Sequence, residues 1–116
     1  MLVQVKTDNN IQGSAGLSEH VESVVKDILG WIGQRLTRVE VYLADENSAQ
    51  KQTELDKRCT MEARLAGLQP ITVHHLGSTI DQSIYGAAEK LEETLKRTLG
   101  RLEDPKGRTS FAGEQV

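Results

Sequence analysis

Residues 57–65 read Lys-Arg-Cys-Thr-Met-Glu-Ala-Arg-Leu, and their alternation decides the fold. Cys59, Met61, Ala63 and Leu65 fall on one parity, while Arg58, Thr60, Glu62 and Arg64 fall on the other. A period of two is that of a β-strand with one face buried and one face wet, so the segment belongs to a sheet covered on a single side. The same alternation recurs on both flanks. In 38–44, Val39, Val41 and Leu43 oppose Arg38, Glu40 and Tyr42; after the turn Ala66-Gly67-Leu68-Gln69-Pro70, the residues Ile71, Val73 and His75 take the inward parity of a further strand. Between the first two strands, Asp45 to Asp56 is polar and without apolar period, which predicts a mobile loop, long for a hairpin.

The chain opens with another alternating stretch, Leu2 to Thr7, in which Val3 and Val5 oppose Gln4 and Lys6. Asp8-Asn9-Asn10 supplies turn residues, and Ser14 is placed to accept from the first free amides of a helix. Leu17, Val21, Val24, Val25, Ile28, Leu29 and Ile32 repeat at helical spacing, predicting a helix from Ala15 that Gly33 ends. A longer amphipathic helix is predicted by Ile80, Ile84, Ala87, Ala88, Leu91, Leu95, Leu99 and Leu102, weakened near Gly100 and stopped by Pro105 and Gly107. The order β-α-β-β-β-α predicts an α+β domain, a four-stranded sheet with both helices packed on one face. We expect this domain over 1–103 and a flexible tail over 104–116.

A chain of 116 residues fits one domain with one core, and 37% hydrophobic against 27% charged residues is a folded balance. The formal charge of −3 excludes a protein coated in basic residues, so any nucleic-acid contact must come from a local patch. Cys59 is the only cysteine and forms no internal disulfide, which fits a reducing compartment. No apolar run approaches the roughly 20 residues that cross a bilayer, and Met1 leads straight into a strand pattern; the expectation is a cytoplasmic protein without membrane contact.

On a wheel of about 100° per residue, Lys90, Arg97 and Arg101 line up beside the apolar arc of the second helix, while Glu89, Glu92, Glu93 and Glu103 fill the remaining arc. Lys96, Lys106 and Arg108 add to the same end. Such a line of cations would follow a phosphate backbone; the other reading is a solvated face with intrahelical pairs such as Glu93 with Arg97. Arg38, Arg58 and Arg64 take the outward parity of the central strands, with Tyr42 as a stacking surface, but Glu40 and Glu62 share that face and offer cross-strand ion pairs instead. In the first helix, Glu19, Glu22 and Asp27 outnumber Lys26, so phosphate would be repelled there.

Catalysis finds little support. His74 and His75 are adjacent in a strand and point to opposite faces, so they cannot share a metal ion in regular β geometry. Cys59 has the parity of a small buried hydrophobe, and there is no Gly-rich phosphate loop, H-E-x-x-H or Cys-x-x-Cys. The expectation is a protein that is not an enzyme and uses no cofactor, metal or small-molecule substrate. Trp31 flanks the apolar arc of its helix and is expected to pack at the edge of the core.

Several segments carry a resemblance. Val3-Gln4-Val5 runs into Asn9-Asn10-Ile11; Leu17-Ser18-Glu19-His20-Val21 follows; Trp31 stands at an aromatic position; and the closing helix reads Ile84-Tyr85-Gly86-Ala87-Ala88-Glu89-Lys90-Leu91-Glu92-Glu93-Thr94-Leu95-Lys96-Arg97. Over Leu2 to Leu102 the chain resembles the ribosome hibernation promoting factors and ribosome-associated inhibitor A proteins, also called sigma modulation proteins, in their short form. Asp27 stands where that family often carries a lysine. The resemblance implies a protein that binds the small ribosomal subunit and its ribosomal RNA in the channel of messenger and transfer RNA, inhibiting translation under stress. It assigns RNA binding to Lys90, Lys96, Arg97 and Arg101, and from the sheet to Arg58 and Arg64. The alternative is a divergent paralogue that serves as a protein-interaction or self-association module without ribosome binding.

Overall fold

Cys59, Met61 and Ala63 sit in register between Leu43, Val41 and Val39 on one side and His75, Val73 and Ile71 on the other, and all three are fully buried. In the computed structural model, which describes residues 1–46 and 55–103, they belong to β3 (Lys57–Leu65), flanked by β2 (Leu36–Asp45) and β4 (Ile71–Gly77). β1 (Leu2–Thr7) completes the sheet at the far edge, giving the order β1-β2-β3-β4. Only the β1/β2 pairing is parallel, because α1 (Ala15–Leu29) carries the chain back between these strands; the other pairs are antiparallel hairpins. With α2 (Ile80–Glu103) after β4, the expected β-α-β-β-β-α order and α+β class hold.

The inward parity of the sheet forms one core with Val21, Val24, Val25 and Leu29 of α1 and Ile84, Ala87, Ala88, Leu91, Leu95 and Leu99 of α2. Both helices therefore cover the same face. α1 starts as its sequence dictates: Ser14 is extended (φ −155°, ψ 161°) and its Oγ accepts from the Leu17 amide at 3.0 Å. It ends earlier than expected. After Leu29 the chain tightens into a 3₁₀ turn over Gly30–Arg35, in which Gly33 takes φ 72°, ψ −143°, a conformation that only glycine adopts without strain. Trp31 lies on this turn, half exposed instead of packed at the core edge.

β2 begins at Leu36, two residues before the alternation suggests. Leu36 and Val39 are both buried although three positions apart, and a register irregularity between Leu36 and Arg38 reconciles them with the pleat. α2 runs through Gly100 to Glu103; the roughly 1 kcal/mol that a mid-helix glycine costs is outweighed by burial of Leu95 and Leu99. The expected loop over Asp45 to Asp56 is pinned at its ends, where the Glu46 amide donates to the Asp56 carbonyl at 2.7 Å, while 47–54 and the expected tail over 104–116, with Pro105, Lys106, Gly107 and Arg108, lie outside the described residues. Among the described residues no helix is long and apolar enough to cross a membrane.

Candidate functional site

α2 lies along the outer edge of the sheet, beside β4. Lys90 marks the contact: its Nζ donates to the His74 carbonyl at 3.0 Å. Arg97 and Arg101 follow on the same stripe, about 10 and 16 Å further along the helix axis. Because β4 needs about 10 Å to run from His74 back to Ile71, the stripe begins midway along β4 and passes beyond its first residue. All three side chains are exposed, and Arg97 Nη1 lies 3.8 Å from Glu93 Oε2, the intrahelical pair foreseen. That pair is long and solvated, so it tempers the arginine's charge only weakly.

Lys96 does not join the stripe. Six residues from Lys90 turn the helix by about 600°, which puts Lys96 on the flank facing α1, 3.9 Å from Glu92 Oε2. The same carboxylate accepts the Trp31 indole N–H at 3.0 Å. Four cations on one helix are thus divided between its two flanks.

Arg58 and Arg64 are on the open face, across the sheet from both helices, so the fold separates them from the α2 stripe. Arg58 Nε is 3.2 Å from Glu46 Oε2, and Arg64 Nη2 is 3.5 Å from Glu62 Oε1. Register explains this arrangement. Arg38 stands directly opposite Arg64, and Glu40 opposite Glu62, so like charges face each other across β2 and β3. The pairs accordingly form along each strand, Arg38 with Glu40 (2.9 Å) and Arg64 with Glu62, and not across it as the sequence suggested.

Tyr42 and Glu40 tie this face together. The Tyr42 hydroxyl donates to Glu40 Oε1 at 2.5 Å, Arg38 also donates to Gln4 Oε1, and Lys6 Nζ lies 5.5 Å from the centre of the Tyr42 ring. The tyrosine hydrogen bond, aided by Arg38, Lys6 and Arg64, holds the Glu40 carboxyl below its ordinary pKa, and the same bond raises the Tyr42 phenol. At the far end of β2, Lys57 Nζ bridges Asp56 (2.8 Å) and Asp45 (3.5 Å), and this pairing, Asp56 foremost, raises its pKa. Asp8 Oδ2 accepts from the Asp45 amide at 3.1 Å, and Asn10 donates to the Asp45 carbonyl at 3.0 Å, joining β1 to the same corner.

The reactive residues lie away from these charges. Cys59 is fully buried, and burial pushes its thiol up to about 12. His74 is exposed, whereas the His75 ring turns inward against Gly86. Among the described residues, no group of three or more His, Cys, Asp or Glu is placed to hold a metal ion.

Against this geometry, comparison with known proteins is informative. No curated protein sequence matches the chain. A ribosomal subunit interface protein from Coxiella burnetii superposes with a TM-score of 0.68 at 16% identity, covering 86% of this chain and 99% of its own. The N-terminal domain of Protein Y from Thermus thermophilus gives 0.66 at 18% identity, covering 84% and 99%. At such identities the likeness is one of fold. The family model described as sigma 54 modulation protein / S30EA ribosomal protein matches residues 3–103, which is nearly the whole described chain, and the chain belongs to that family.

Proposed function

We propose that this protein is a ribosome-associated factor of the hibernation type, which occupies the messenger and transfer RNA channel of the small subunit and inhibits translation in stressed cells. It acts in the cytoplasm by occupancy and not by catalysis. Family membership supports the reading, and one observation carries it: Lys90, Arg97 and Arg101 form a line of exposed cations on a chain whose net charge is −3. A carbonyl partner leaves the Lys90 charge intact, so the stripe keeps three positive groups for phosphates. Lys96 on the other flank, and Arg58 and Arg64 on the open face of the sheet, are secondary contacts in this proposal, because each lies off the line of the stripe.

The test is co-sedimentation with purified small subunits across a salt series. Binding should fall as salt rises, and Arg97→Gln with Arg101→Gln should weaken it and lower the slope of log K against log salt by about 1.5–2, the share of two phosphate contacts. Lys90 is left in place because it also ties α2 to β4. Absence of binding at low salt would overturn the reading; binding that the double variant leaves unchanged would overturn the role of the stripe.

A further inference from the structure

The outward surface of the helical layer has the opposite character to the β4 edge. α1 and α2 run side by side in the same direction, since His20 Nε2 meets Asp81 Oδ1 (2.8 Å) near their starts and Trp31, just past the end of α1, meets Glu92. Tyr85 and Glu92 lie on one flank of α2, two turns or about 10 Å apart. The Tyr85 ring stands edge-on to His20, with centroids 6.3 Å apart. Two aromatic side chains therefore line the seam between the helices, and they are 44% (Tyr85) and 50% (Trp31) exposed. Neither enters the core, although aromatic rings are the largest apolar groups a small domain can bury. Asp27 of α1 and Glu89 of α2 border the same track, exposed and without an ion pair among the described residues.

We infer that this seam is a docking surface for an extended, arginine-rich protein segment. Guanidinium groups stack on tyrosine and tryptophan faces and pair with carboxylates through a planar fork, so one residue type satisfies both components of the track. The spacing agrees: a polyproline II segment returns a side chain to the same face every three residues, about 9 Å, close to the rise along α2 between Tyr85 and Glu92, the partner of Trp31. Nucleic acid is disfavoured, because the carboxylates of Asp27 and Glu89 are exposed there and repel phosphate. The seam and the Lys90 stripe face different ways, and of the proposed RNA contacts only Lys96, which is beside Glu92, shares this flank.

Trp31 is the only tryptophan in the chain, so its emission reports on the seam directly. Nonaarginine, nonalysine and a uridine nonamer would be titrated separately into the full chain at low salt. Nonaarginine should change Trp31 emission and bind several-fold more tightly than nonalysine. Asp27→Asn with Glu89→Gln should weaken it about tenfold, and Tyr85→Ala should abolish the arginine preference while Tyr85→Phe retains it. The altered side chains are exposed, so the variants should melt as the parent does, and Glu62→Gln on the open face should leave binding unchanged. The inference is overturned if nonaarginine leaves Trp31 emission unmoved, if the two peptides bind alike and ignore the seam variants, or if the uridine nonamer alone changes Trp31 emission as nonaarginine does.

Discussion

The ring of His75 lies so close to the Cα of Gly86 that a Cβ built there would stand 2.1 Å from Cδ2 and 2.4 Å from Nε2. This approach sets the distance between α2 and β4, and one turn later Lys90 reaches the His74 carbonyl across it. Gly86→Ala should therefore destabilise the protein even though alanine favours helix by about 1 kcal/mol. Overpacking costs about 1–3 kcal/mol, and an overlap this deep belongs at the upper end, so we expect a net loss of about 1–2 kcal/mol in urea unfolding. His75→Ala should restore much of that loss when combined with Gly86→Ala, a coupling that a double-mutant cycle detects. Simple additivity would show that the ring does not fill the space.

The Tyr42 to Glu40 hydrogen bond predicts a pH response with a definite sign. The folded carboxyl has a pKa below its ordinary 4.5, so the unfolded chain binds more protons in acid and stability rises with pH. This contribution is complete above about pH 4.5 and is lost as pH falls through the lower folded value. Tyr42→Phe removes its chief cause. Urea midpoints measured near neutrality and in acid should differ less in the variant than in the parent; an unchanged difference would mean that the arginines and Lys6 suffice.

For Cys59, a thiol at about 12 carries little thiolate at ordinary pH. Near pH 8 its reaction with a disulfide reagent should be slower than that of an unfolded cysteine by roughly a thousandfold or more. Labelling should then report transient opening of the core and accelerate with denaturant. Rapid stoichiometric labelling of the native protein would contradict this burial.

Much of the architecture is legible because each strand has one buried face, and Cys59, Met61 and Ala63 announce theirs by parity alone. Ser14 is equally plain, as a cap followed by a helical period. The end of α1 is not, because Ile32 continues the apolar spacing and a 3₁₀ turn buries a residue at much the same interval as an α-helix does. The charges on the sheet are legible as a set but not as pairs, since only register reveals that Arg38 faces Arg64. The line of Lys90, Arg97 and Arg101 follows from helical geometry, whereas grouping Lys96 with it by nearness in sequence overlooks the turn of the helix between them. The seam was hidden for another reason: His20 with Asp81 and Trp31 with Glu92 are pairs 61 residues apart, and no local pattern foretells them. Gly86 is legible in part, as a glycine interrupting a good helix after an inward-pointing histidine, the His75 ring that packs against it.

The parallel edge position of β1 has a kinetic consequence. β2, β3, β4 and α2 meet through neighbouring connections, but β1 cannot pair until the chain through α1 has brought β2 alongside: Val5 opposite Val41 spans 36 residues. That loop-closure entropy is recovered only once the docking site exists. We therefore expect β1, although it precedes its partner β2 in sequence, to be among the last elements secured. Substitution of Val5 by Ala should speed unfolding with little effect on the folding rate, whereas Met61→Ala in the central hairpin should slow folding. A strand that docks late onto a formed sheet is also the one whose amides exchange first with solvent, so the amino-terminal edge would be where this domain opens while the layer beneath α2 stays closed.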